Sequence, residues 1–112
     1  MTHERILSDL KAKKFDSIYF LAGEETFYMD LISDYIEENV LSESEKGFNQ
    51  TILYGRDVEI SALISAAKQF PMMSDHTVII VKEAQDLKKI EELKSYIEKP
   101  LDSTILVLCY RG

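Results

Sequence analysis

Tyr19-Phe-Leu-Ala-Gly-Glu-Glu-Thr-Phe-Tyr28 is an apolar run, a single glycine and the opening of a long amphipathic segment. Residues 17–22 suit a strand, and Gly23 suits a sharp turn. From Thr26 two apolar rows recur every four residues: Phe27, Leu31, Tyr35 and Tyr28, Ile32, Ile36, Val40. That spacing predicts an amphipathic helix of about four turns. Strand, turn and helix in this order form the corner where many α/β proteins hold a phosphate, because backbone N–H groups and the positive end of the helix dipole converge there. The side chains at this corner do not suit that task. A phosphate loop of the form G-x-x-x-x-G-K-[ST] supplies further glycine, a lysine and a hydroxyl for Mg²⁺. Here Gly23 is followed by Glu24, Glu25 and Thr26, with no lysine. Two carboxylates in the first turn favour the dipole and repel a phosphate. The corner is either an ordinary helix start or a structural remnant of a nucleotide site, and it directs attention to protein binding.

Outward from this corner, helical and strand signals alternate. Ile6, Leu7 and Leu10 mark a short helix over residues 3–13, before the first strand. Residues 42–47 are polar and end the long helix, leaving Glu43 and Glu45 on a solvated loop. Residues 48–54 suit a second strand, broken by Gly55-Arg56. Asp57 is a candidate N-cap for a helix carried by Ile60, Leu63, Ile64 and Ala67. Phe70-Pro71 stops that helix, because a residue before proline is pushed out of the α region. Thr77–Val81 is apolar and β-branched throughout, as in a strand buried on both faces. Leu87, Ile90, Leu93 and Ile97 predict a further helix ended by Pro100, and Thr104–Cys109 is a last buried strand. The expected architecture is α-β-α-β-α-β-α-β: a three-layer α/β domain, with a mostly parallel sheet between helices. The last strand runs almost to Gly112 with no closing helix, which suggests the N-terminal piece of a longer protein.

The 112 residues suffice for one domain with one core. The formal net charge of −7 argues against a general grip on nucleic acid, which relies on basic patches that release counterions. An acidic surface suits either a basic partner or plain solubility. Cys109 is the only cysteine, so an intrachain disulfide is impossible. It lies in the apolar run 105–109 and reads as an inert core thiol. No stretch reaches the roughly 18 apolar residues that a membrane span needs. No signal peptide opens the chain, and the default compartment is the cytoplasm.

Catalytic constellations are weak. A P-loop ATPase places an aspartate after its third strand to hold Mg²⁺; here Lys82-Glu83 follows Val78-Ile-Ile-Val81, and Lys82 puts a positive charge where a cation would sit. The same lysine denies a receiver-type phosphoacceptor, although Glu24 and Glu25 supply an acidic pair. His3 and His76 lack a second ligand at metal spacing, so no metal is expected. No Gly-x-Ser-x-Gly elbow is present. What remains is Phe70-Pro71-Met72-Met73-Ser74, three large apolar side chains in a turn, where polar residues are usual. Pro71 stiffens the segment, and methionine is an adaptable contact residue. The turn is either a protruding wedge for a partner or a cap on the domain's own core, and periodicity alone favours the cap.

The series Tyr19-Phe-Leu-Ala-Gly-Glu-Glu25, Phe48-Asn49, Ala66-Ala67, Phe70-Pro71-Met72-Met73-Ser74-Asp75 and Val78-Ile-Ile-Val-Lys-Glu-Ala84 resembles the N-terminal domain of the delta subunits of bacterial DNA polymerase III. The likeness covers almost the whole chain in order and spacing. It implies a truncated AAA+ fold that does not bind ATP, a clamp-loader subunit that is not itself catalytic, and no cofactor. Gly23, Glu24, Glu25, Lys82 and Glu83 would then be remnants of a nucleotide site. The resemblance further implies that the turn after the second crossover helix inserts apolar residues into the sliding clamp (the beta subunit) and opens the ring. In this chain those residues are Phe70, Pro71, Met72 and Met73, with the two methionines at the tip. Many relatives look like Leu-Phe or Phe-Phe at the tip; Met-Met keeps the apolar character and lacks the aromatic. Contacts with other loader subunits would lie in a C-terminal collar outside these residues, and DNA would be reached only through the full complex. Two rivals remain from the residues alone: an active P-loop ATPase and a receiver or flavodoxin-like signalling domain.

Overall fold

A computed structural model of the chain describes residues 3–112. Four strands, β1 (Ile18–Gly23), β2 (Gln50–Tyr54), β3 (Thr77–Lys82) and β4 (Thr104–Arg111), form one sheet in the order β1-β4-β3-β2. Every pair is parallel, with Ile18 beside Leu106, Gln50 beside Val78 and Thr77 beside Thr104. The path crosses from β1 to the far edge and then steps back through β3 to β4. Because right-handed crossovers running in opposite directions cover opposite faces, the helices divide into two layers. The expected three-layer α/β arrangement is what the structure has.

One face is covered by α1 (His3–Lys11) and α2 (Phe27–Asn39), with Leu10, Ile32, Ile36, Val78, Ile80 and Val107 in its core. The other is covered by α4 (Ile60–Ala67) and the segment after β3, around Leu63, Ala67, Ile79, Val81, Leu93 and Leu106. Successive residues of β3 and β4 serve opposite faces, so residues 78–81 and 105–109 are all apolar, as parallel strands between two helical layers require. No helix among the described residues is long and apolar enough to cross a membrane.

Four local expectations change. Residues 43–49 are not a solvated loop but a helix, α3 (Glu43–Asn49), closed by a capping box in which Ser42 accepts from the Glu45 N–H and Glu45 accepts from the Ser42 N–H. The second strand consequently starts at Gln50 instead of Phe48. Asp57 does not cap α4; it closes a 3-10 turn (Gly55–Asp57), and Glu59 takes the cap position without a side-chain hydrogen bond. Gly55 lets this turn lie directly against the segment after β3: a Cβ there would come within 2.2 Å of the Glu83 carbonyl oxygen.

The helix expected over 87–97 is broken. Glu83 and Lys89 adopt left-handed backbone, and between them and Pro100 lie two 3-10 turns (Ala84–Asp86, Ile90–Leu93) and a short α5 (Lys94–Glu98). Leu87, Leu93 and Tyr96 are buried there, while Ile97 is exposed. On α2 the buried stripe is Met29, Ile32, Ser33 and Ile36; Phe27 and Leu31 face solvent.

Candidate functional site

The carboxyl ends of the strands hold the corner at Gly23–Thr26. Gly23 has φ +145°, a backbone region favoured by glycine, and it turns the chain from β1 toward α2. Glu25 then reaches forward: its Oε1 accepts the Phe27 N–H at 3.0 Å. A carboxylate of the chain itself thus sits on a free donor at the helix start, where a bound anion would lie. Glu24 is exposed beside it.

Across the corner, Glu83 receives the Gln85 amide at 2.6 Å and lies 3.9 Å from Arg111; Lys82 lies 3.9 Å from Glu37. The cleft between these elements measures about 120 Å³ and is lined in part by Thr26, Tyr54, Lys82, Glu83 and Arg111. Pockets that enclose an organic ligand usually measure about 300 Å³ or more. Cys109 is buried at its wall, and burial pushes its thiol pKa up. No cluster of three metal-ligating side chains occurs among the described residues. His3 is exposed and stacks on Tyr28, while His76 meets the edge of Phe15.

The amino ends of the strands hold the apolar turn. Phe70-Pro71-Met72-Met73-Ser74 joins α4 to β3, and it does not cap the core. Phe70 is 77% exposed, Met72 60% and Met73 97%; Pro71 and Ser74 are half-buried. Met73 has φ +54°, the left-handed conformation. A thioether side chain held fully in water on a backbone that costs roughly 1–2 kcal/mol is a feature that needs a compensating use. The entry to the turn is fixed from below, where the Ala67 carbonyl accepts from both Thr104 Oγ1 at 2.8 Å and Tyr96 Oη at 3.2 Å.

Its tip is fixed by α3. Asn49 is 3% exposed, and its side-chain amide holds the Met72 backbone. Glu45 of the same helix is held below the usual carboxylate range, first by the Ser74 hydroxyl and then by the backbone and hydroxyl of Ser42. Phe48, placed at the head of a strand by its sequence, instead lies in the last turn of α3 at 80% exposure. Asn49 and Phe48 are the residues that apolar periodicity does not single out. The signal that could have found them is the Ser42-x-x-Glu45 capping box, which announces a helix with no apolar stripe.

Residues 19–112 match the family described as DNA polymerase III, delta subunit. The chain is 28% identical, over 92% of its length, to DNA polymerase III subunit delta of Bacillus subtilis strain 168, of which it spans 33%. Its structure superposes on the DNA clamp loader delta protein of Bacillus subtilis with a TM-score of 0.87 and 26% identity, covering 99% of this chain and 36% of that one. The chain spans about a third of the length of the relatives it matches.

Proposed function

Given that the chain belongs to the DNA polymerase III delta-subunit family, we propose that these residues form an N-terminal AAA+-like domain that binds the sliding clamp and helps to open it, with Met72 and Met73 as the anchors and Phe70 and Pro71 shaping the turn. The observation that carries this reading is the apolar turn itself, held outward with Met73 97% exposed at the end of the sheet away from the remnant corner. Opening follows from differential affinity: a turn that fits the relaxed clamp interface better than the closed one shifts the ring toward open.

The domain supplies contact and not catalysis. Glu25 occupies the helix start, and the cleft of about 120 Å³ is too small for a nucleotide, which supports a subunit that works without ATP of its own. The net charge of −7 supports reaching DNA only through the assembled loader, by regions beyond these residues. The setting of such a complex is the cytoplasm.

The test is Met72→Ser/Met73→Ser in the natural-length protein, titrated against the sliding clamp. Two anchors removed from an apolar pocket should cost about 3 kcal/mol or more, which is about 100-fold in Kd, with the thermal unfolding midpoint preserved. A variant that binds the clamp as tightly as the parent overturns the assignment.

A further inference from the structure

The turn buries little of its own apolar surface, yet it stands on a specific polar mount. Asn49 Oδ1 accepts from the Met72 N–H at 2.6 Å, and Asn49 Nδ2 donates to the Met72 carbonyl at 2.8 Å. The second Nδ2 hydrogen goes to the Glu45 carbonyl at 3.1 Å. The amide carbonyl and both amide hydrogens are therefore used, and the amide fits in one orientation: reversed, it would set donor against donor and oxygen against two carbonyls. Aspartate would put oxygen against the same two carbonyls. The two bonds to Met72 repeat the pairing that two facing residues exchange in an antiparallel sheet. They fix Met72 and so aim Met73, whose left-handed backbone would not persist in a free chain.

Holding this turn does little for the core, because the residues it presents point away from it. Its consequence falls on association. A loop that visits its binding shape only part of the time binds more weakly in proportion to that fraction, and a loop ordered on folding avoids the loss. We infer that Asn49 is a positioning residue for clamp binding: it presets the Phe70–Ser74 turn in the conformation that the clamp takes. This rests on the reading of the turn as the clamp-binding wedge.

The experiment compares Asn49→Ala and Asn49→Asp with the parent in the natural-length protein, by hydrogen exchange at residues 70–76 and by association kinetics with the sliding clamp. Asn49→Ala should speed exchange at the Met72 amide and slow association by a similar factor, about 10-fold if the free turn holds its binding shape a tenth of the time. Asn49→Asp keeps the size and an acceptor for the Met72 N–H. With its other oxygen against the Met72 and Glu45 carbonyls it should free the turn as alanine does, and it carries the test if the alanine variant does not fold. A merely structural asparagine would lower the unfolding midpoint without changing association by the folded protein. A freed Met72 amide with unchanged association therefore overturns the inference, as does a Met72 amide as well protected in both variants as in the parent. Unaltered clamp binding by Met72→Ser/Met73→Ser is a different result: it removes the wedge, and the role of Asn49 with it.

Discussion

Single residues at the two ends of the sheet do opposite things: one is small where space is lacking, the other is strained where space is open. At the carboxyl end Gly55 lets two connections touch, since a Cβ would meet the Glu83 carbonyl at 2.2 Å and the Leu87 nitrogen at 3.0 Å. These are backbone atoms and cannot swing aside. Gly55→Ala should therefore cost about 2 kcal/mol or more, read as a lower urea midpoint with an unchanged slope. At the amino end Met73 takes a left-handed conformation with no glycine to ease it, and the side chain gains no burial in return. The sequence showed that Phe70–Ser74 was too apolar for a turn. It did not show which way the side chains faced, because burial depends on what Asn49 holds 23 positions away. Glu24 and Glu25 were legible as unfit for a phosphate from their charge. That Glu25 occupies the site itself needed coordinates.

At the scale of elements, the runs 77–81 and 104–109 were legible because a strand buried on both faces leaves a continuous apolar run that few other structures leave. The element that supports the site was not, because α3 (Ser42 cap, Glu43–Asn49) has no apolar stripe; caps and tertiary bonds hold it. The helix expected over 87–97 failed for the converse reason: its spacing was helical, but Lys89 at φ +60° interrupts it, and burial passes to Tyr96. The support of α3 is pH-dependent. The Glu45 carboxyl lies below its ordinary value of 4.5 in the folded protein, because the neighbouring Ser74 side chain and the Ser42 backbone N–H, which donates to Glu45 Oε1 at 2.9 Å, favour its charged form. A lowered folded value means the contribution is complete above the unfolded value and is lost as pH falls through the folded one. NMR shifts of residues 42–49 and 74 should accordingly change together below pH 4.5, and Glu45→Gln should abolish that titration. Shifts that stay flat down to the acid unfolding transition would contradict the influence of Ser74 and Ser42 on Glu45.

For the whole molecule, one parallel sheet sets the distance between the two candidate regions. The corner formed by Gly23, Lys82 and Glu83 lies at the carboxyl ends of β1 and β3, and the turn precedes the amino end of β3. Strands of 6 residues separate them by about 20 Å. With Glu25 on the helix start and a small cleft beside it, millimolar Mg-ATP should leave the unfolding midpoint unmoved. A ligand well above its Kd would raise it, so an upward shift of several degrees would restore the nucleotide-binding alternative. The order of the sheet has a consequence for how such a chain can change over time. Regions at opposite poles of a stiff layer share no side chains, so substitutions can accumulate at one without being felt at the other. Under the function proposed for this domain, a lineage could surrender a nucleotide pole residue by residue while its contact pole stayed under full selection.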